Sequence, residues 1–316
     1  MTIPMSHLLF LAGTTPTAQR FAQSCVVGDT QSWPINFRFQ LPGNVSVIVT
    51  PNNRKVGDGL HNAAVVGIAQ KVSPDSFLLT ARNSDCAAGA ASFDWIAFSD
   101  VALKEAQREL PFVRARTLQG QHFKPSCIPG DTQVQPVTFW SPLPDPDEFI
   151  FLTASAPWPA PSTLNVGAHN AAAVGIVQNS NAAGFNLSAR NSDCAEGDCA
   201  FNSFAITTLP KQPNGDAGNL QVDVGQINAI HFSQSCGAGD TQSVFIDFHQ
   251  PFLTSPIVLL TANDLGVAAG GHNAAVVGVA ADVTPYGFTL LARNSDCASG
   301  EAGFYWAAIS CSLGCG

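Results

Sequence analysis

One stretch constrains the fold of this chain more than any other, because the chain contains it three times. Residues 61–86 read HNAAVVGIAQKVSPDSFLLTARNSDC, residues 169–194 read HNAAAVGIVQNSNAAGFNLSARNSDC, and residues 272–297 read HNAAVVGVAADVTPYGFTLLARNSDC. Fourteen of these 26 positions are identical in all three copies. The copies open at His61, His169 and His272, which sets periods of 108 and 103 residues (169−61, 272−169). Such a period is too long for a solenoid unit and matches a small independent domain. The 316 residues therefore divide into three expected repeats, 1–100, 111–208 and 219–316.

Within each repeat the apolar residues alternate with period two between Gly, Pro, Asn and Asp clusters, the pattern of an antiparallel β-sandwich. Repeat one predicts six strands, at 9–14, 33–39, 45–50, 62–71, 77–83 and 92–99. Ser73-Pro74-Asp75-Ser76 and Thr284-Pro285-Tyr286-Gly287 read as hairpin turns. Helical periodicity is confined to Asp100–Leu110, expected as a short linker; Leu209–Asp216 reads as a Pro/Gly-rich crossover. The fourth strands are small-sided, AAVVGIA, AAAVGIV and AAVVGVA. Side chains of that size let another layer approach closely, either inside one repeat or between repeats facing each other about a pseudo-threefold axis. The expected fold is thus all-β: three tandem six-stranded antiparallel sandwiches with pseudo-threefold symmetry.

Net charge is −9 with only 14 Lys and Arg, which argues against a polyanion partner such as nucleic acid. No apolar run reaches the length of a membrane span, and the opening MTIPMSHLLFLAG has no basic residue ahead of its apolar core, a poor signal peptide. Six of the nine Cys recur in register, and one disulfide per repeat, Cys25–Cys86, Cys127–Cys194 and Cys236–Cys297, is the economical reading. Six buried thiols are the alternative. Cys199, Cys311 and Cys315 are left over. Cystines would place the protein outside the cell or at its surface.

Polar residues form three clusters per repeat. The first follows the early Cys, with Asp29, Asp131 and Asp240 inside a repeated Gly-Asp-Thr-Gln. The second opens strand four, as His61-Asn62, His169-Asn170 and His272-Asn273. The third ends strand five, as Arg82-Asn83-Ser84-Asp85, Arg190-Asn191-Ser192-Asp193 and Arg293-Asn294-Ser295-Asp296. If six strands alternate in direction, all three clusters lie at one end of a repeat, where a cystine would staple the first to the third. The plainer reading of each residue is turn chemistry: an Asx turn at Asp29, a local pair between Arg82 and Asp85.

The chain resembles the H-type lectins, the family of snail agglutinin and the discoidin C-terminal domain. IDFHQPFLTSPIVLLTAND (246–264) and NAAVVGVAADVTPYGF (273–288) carry the likeness, together with the early Cys. It extends over nearly the whole chain in three copies. It implies six-stranded sandwiches, a trimer here made covalent, and binding of galactose or N-acetylgalactosamine by the loop Asp29, Asp131 and Asp240. Ala64, Ala172 and Ala275 stand where the family has a strand-four Arg, and Ser84-Asp85 stands where it has an aromatic-His pair. The loop before His169 is longer (169−127 is 42, against 61−25 of 36) and holds Trp158, a candidate stacking platform; Trp95 and Trp306 read as core. No cofactor or metal is expected. A multivalent lectin is the first reading and an adhesive protein-binding module the second. An enzyme is not expected, since no GxSxG, HExxH or phosphate loop occurs.

Overall fold

The computed structural model describes residues 10–22, 29–56, 65–83, 88–99, 113–124, 131–144, 148–155, 173–191, 196–207, 220–233, 240–267, 276–294 and 298–311. Every regular element among them is a strand. Repeat one supplies β1 (Phe10–Thr14), β2 (Gln19–Phe21), β3 (Thr30–Asn36), β4 (Val45–Asn52), β5 (Val65–Gln70), β6 (Ser76–Asn83) and β7 (Gly89–Ser99). Repeat two supplies β8 (Val113–Thr117), β9 (Gln121–Phe123), β10 (Thr132–Thr138), β11 (Glu148–Ser155), β12 (Ala173–Asn181), β13 (Gly184–Asn191) and β14 (Gly197–Thr207). Repeat three supplies β15 (Leu220–Phe232), β16 (Thr241–Asp247), β17 (Ile257–Asn263), β18 (Val276–Ala281), β19 (Gly287–Asn294) and β20 (Gly300–Cys311). The linker expected to be helical, Asp100–Leu110, and the 209–216 crossover lie outside the described residues.

Several strand assignments differ from expectation; among them β5 ends at Gln70 rather than 71, and β7 starts at Gly89 rather than 92. The short β2 and β9 were not anticipated; both pair with the last strand of their own repeat. In repeat three the same ground is covered by the single β15, whose ladder to β20 shifts register between Ile227 and Ile230, so a bulge replaces the break. The second strand begins at Thr30 rather than Trp33, because Thr30 to Asn36 ladder with Arg82 to Ser76. Pro34 fits inside it because β3 ends its sheet and an outward-facing N–H is dispensable there.

The strands form three sheets. Their orders are β1-β7-β4-β18-β19-β16, β10-β13-β12-β17-β20-β15 and β3-β6-β5-β11-β14-β8. Along each path three strands of one repeat join three of another, through one parallel pair: β4 with β18, β12 with β17, and β5 with β11, while β2 and β9 attach off the path to β7 and β14. Those seams are short, and all other pairing is antiparallel. Repeat one meets repeats two and three, and repeat two meets repeat three, so the connections close on themselves.

In repeat one, Leu11, Val47, Val49, Trp95 and Ala97 share a core with Ile35, Val65, Phe77, Leu79 and Ala81. Phe77 meets Trp95 edge-on, centroids 5.8 Å apart. A glycine in each fourth strand makes this possible: a Cβ on Gly67, Gly175 or Gly278 would fall 3.1, 2.8 and 2.8 Å from the rings of Phe93, Phe201 and Phe304. On the last strands the opposite face packs between repeats, as where Phe98 of β7 meets Phe204 of β14 at 5.1 Å. Strand β4 is thus buried on both faces, which is why it reads as a nearly unbroken apolar run.

Where the repeats meet, three threonines close a ring of hydrogen bonds. The N–H of Val49 donates to Thr153 Oγ1 (2.7 Å), that of Leu152 to Thr261 Oγ1 (2.9 Å), and that of Leu260 to Thr50 Oγ1 (3.1 Å). Val66, Val174 and Val277 from the three fourth strands line one cavity there, of about 70 Å³.

Candidate functional site

The first and third polar clusters meet at one end of each repeat. Thr30 stands opposite Arg82, Thr132 opposite Arg190, and Thr241 opposite Arg293. Arg82 Nε donates to Thr30 Oγ1 and Arg190 Nε to Thr132 Oγ1, both at 3.0 Å. The backbone N–H of Asn83, Asn191 and Asn294 donates to the carbonyl of Asp29, Asp131 and Asp240 respectively, at 3.0, 2.9 and 2.9 Å. The fourth strands β5 and β18 begin beside the same Asn residues, with Val65 opposite Asn83 and Val276 opposite Asn294.

The Asp carboxylates act as clamps. Asp29 Oδ2 accepts the Ala22 N–H at 2.8 Å, Asp131 Oδ2 the Lys124 N–H at 2.9 Å, and Asp240 Oδ2 the Ser233 N–H at 2.8 Å. The Asn amide returns the bond: Asn83, Asn191 and Asn294 Nδ2 donate to the carbonyls of Ala22, Lys124 and Ser233, at 3.2, 3.4 and 3.2 Å. Gln31, Gln133 and Gln242 donate to the same carboxylates at 3.0–3.3 Å. Ala22, Lys124 and Ser233 each follow the strand segment paired with the last strand of the repeat, so every clamp ties one half-sheet to the other. Arg82, Arg190 and Arg293 are buried at 5, 8 and 3% exposure, while Thr30, Thr132 and Thr241 face solvent. The end of each repeat is therefore rigid and polar, with its guanidinium behind the surface.

Ala22, Lys124 and Ser233 were missed from the sequence. A signal existed: Phe21, Phe123 and Phe232 each precede the early Cys by four residues (25−21, 127−123, 236−232), and all three are fully buried. They anchor the segment that the Asp holds. His61, Asn62, Asp85, Trp158, His169, Asn170, Asp193, His272, Asn273 and Asp296 lie outside the described residues. So do Cys25, Cys86, Cys127, Cys194, Cys236 and Cys297. Trp95 and Trp306 are core residues, 6 and 3% exposed.

Repeat two adds charge beside its clamp. His122, two residues before Lys124, places Nδ1 3.0 Å from Asp198 Oδ1 and Nε2 3.0 Å from Glu196 Oε1. The hydrogen bond with Asp198 raises the imidazole above its ordinary value, and both carboxylates add to the rise. A raised folded value means that this stabilisation is fully present below about pH 6.5 and is lost as pH climbs through the raised value. His122→Gln is expected to remove an increment of about a few tenths of a kcal/mol on the acid side only, since the ring is half exposed and screened. Urea denaturation of both proteins at pH 5 and pH 9 measures it, and an equal difference at the two pH values would refute it. Among the described residues no group of three or more His, Cys, Asp and Glu could hold a metal ion. No helix among them is long and apolar enough to cross a membrane. Compared with known proteins, the chain matches no family model, no curated protein and no solved structure.

Proposed function

We propose that this chain is a multivalent carbohydrate-binding protein with one loop-end site per repeat, directed at galactose or N-acetylgalactosamine-type glycans. One observation carries the reading: the same Asp-Thr-Gln and Arg-Asn clamp is built three times, in the same geometry, at one end of each repeat. Rigid, closely set donors and acceptors suit sugar hydroxyls, and weak sites held on one scaffold gain avidity. We infer that each repeat is a β-sandwich and that the three stand about a pseudo-threefold axis; the threonine ring and the three equivalent parallel seams support this. In the same reading the registered cysteines form one cystine per repeat, the protein works outside the cell or at its surface, and its acidic balance disfavours nucleic acid.

Binding rather than catalysis fits the one described cysteine with a placed side chain. Cys199 is fully buried, and burial pushes its thiol up to about 12, which keeps it protonated and unreactive. A second reading, an adhesive module that binds protein, is favoured by the commitment of the clamp Asp carboxylates to internal bonds.

Glycan-array binding and titration with free galactose and N-acetylgalactosamine test the proposal on the intact chain. The triple variant Asp29→Asn, Asp131→Asn, Asp240→Asn keeps side-chain shape while removing three charges. It is expected to bind at least about tenfold more weakly, a loss of about 1.4 kcal/mol. Absence of wild-type binding to every glycan on the array would sink the lectin reading and leave the protein-binding one.

A further inference from the structure

The three repeats differ at one sheet edge. Strands β3, β10 and β16 are equivalent, and each ends its sheet. Flanking β16, the Phe248 N–H donates to the Tyr286 carbonyl and the Asp240 carbonyl accepts from the Asn294 N–H. Backbone direction alternates along a strand, so the even-numbered residues face β19, and Ser243, Phe245 and Asp247 point their N–H and C=O groups outward. The same reasoning from Phe37 N–H to the Asp75 carbonyl places Pro34 outward in β3. The Phe139 N–H to the Ala183 carbonyl does so for Pro136 in β10. Proline at that position removes the donor and fills the approach, the way natural sheets blunt an edge. Repeat three has Phe245 instead, with its N–H intact and its ring 58% exposed. Tyr286, next to the Gly287 that the Phe245 ring touches, is 68% exposed.

We propose that β16 is a docking edge for a second copy of this chain, joined antiparallel, β16 to β16, about a twofold axis near Val244. The edge is complementary to itself in that register. Thr241 faces the second copy's Asp247, and Ser243 faces its Phe245. The two Phe245 side chains stand diagonally across the axis on one face of the joined sheet. Asp247 is the one charge in the strand and replaces the Asn36 and Thr138 of the other repeats. Antiparallel pairing holds the two Asp247 carboxylates at opposite ends. It also sets each in the row of Thr241 and, across the ladder, the Arg293 guanidinium. A parallel partner would bring the like charges together. The contact is isologous, so it closes as a dimer and leaves the proline-blocked edges β3 and β10 unpaired. The proposal stands on the edge alone and does not depend on what the loop ends bind.

Sedimentation velocity of the full chain across a concentration series tests it. The wild type is expected to pass from monomer to dimer. Phe245→Pro, which installs the residue the other two repeats carry there, is expected to weaken association more than about tenfold with unchanged thermal unfolding. Phe245→Lys, which keeps the N–H but charges the edge, should do the same and serves if the proline variant does not fold. Amide exchange over 241–247 should slow on concentrating the wild type and not on concentrating either variant. A wild type that stays monomeric throughout, or dimers that survive in Phe245→Lys with unslowed exchange over 241–247, would overturn it.

Discussion

Asp94→Ala is expected to destabilise the chain by about 3–5 kcal/mol, the cost of stripping one member from a buried ionic cluster. Asp94 is fully buried on β7. Its Oδ1 accepts from Thr14 Oγ1 (2.6 Å) and Asn52 Nδ2 (2.8 Å), and its Oδ2 accepts from the Val258 N–H (3.0 Å). Arg54 Nε lies 3.5 Å from Oδ1, and its Nη2 also donates to the Pro256 carbonyl. One carboxylate thus ties repeat one to repeat three. Alanine would leave a buried N–H, an amide, a hydroxyl and a guanidinium without their acceptor, whereas Asp94→Asn retains one oxygen and should cost less. Burial pushes the Asp94 carboxyl above its ordinary value despite Arg54. The folded state then holds the proton more tightly than the unfolded one. Stability from this group falls as pH rises from about 3.9 through the raised value, a fall that Asp94→Asn abolishes. Urea denaturation at several pH values measures both effects; a loss under about 1 kcal/mol for Asp94→Ala would mean that the cluster is not sealed from water.

The second large effect belongs to the threonine ring. Thr50→Val, Thr153→Val and Thr261→Val combined keep the shape of the side chain but delete the acceptors for three buried backbone N–H groups. Each orphaned donor costs about 1–3 kcal/mol, so the triple variant is expected to lose several kcal/mol. The three threonines are neighbours in one ring of bonds, so the losses should not simply add. The triple Thr→Ser variant, which keeps the hydroxyls, separates hydrogen bonding from packing and should recover most of the loss. Thermal and urea unfolding of the two triple variants decide this: equal destabilisation would assign the effect to the methyl groups.

The seams carry different chemistry at equivalent places, which the repeated sequence conceals. At the position of Asp94, repeat two has Asn202, whose Nδ2 donates to the Val47 carbonyl of repeat one at 3.0 Å. Repeat three has Tyr305, whose hydroxyl meets Ser180 Oγ of repeat two at 2.9 Å. Each repeat reaches into a neighbouring one by a different side chain, one ionic, one amide and one phenolic. A similar exchange occurs where Gly13 and Gly225 lie against the rings of Trp95 and Trp306, while repeat two pairs Arg116 with Ser203. Ring and glycine change together because they fill one volume.

What could be read directly from the chain was local. Period-two alternation gave the sixth strand of repeat one, observed as β7, and turn residues gave the Ser73 to Ser76 hairpin, since both depend on near neighbours; alternation of strand direction then brought Asp29 and Arg82 to the same end. The short β2 was missed because three residues carry too little periodicity, although buried Phe21 marks it. The role of Asp29 as a clamp on Ala22 was not legible either, since the same residue at a turn serves equally as a ligand or as a brace.

The sequence by itself determined that this protein is built of strands, in three copies, with polar residues gathered at matching ends. Only the tertiary structure decided which strands share a sheet: β5 lies beside β11 of the next repeat, β12 beside β17, and β18 beside β4. Three repeats of like pattern offer like partners, so pairing within and between them is degenerate in pattern. The choice falls to long-range packing, to the fit of Phe rings over strand-four glycines and to three threonine hydroxyls that satisfy one another's neighbouring backbones.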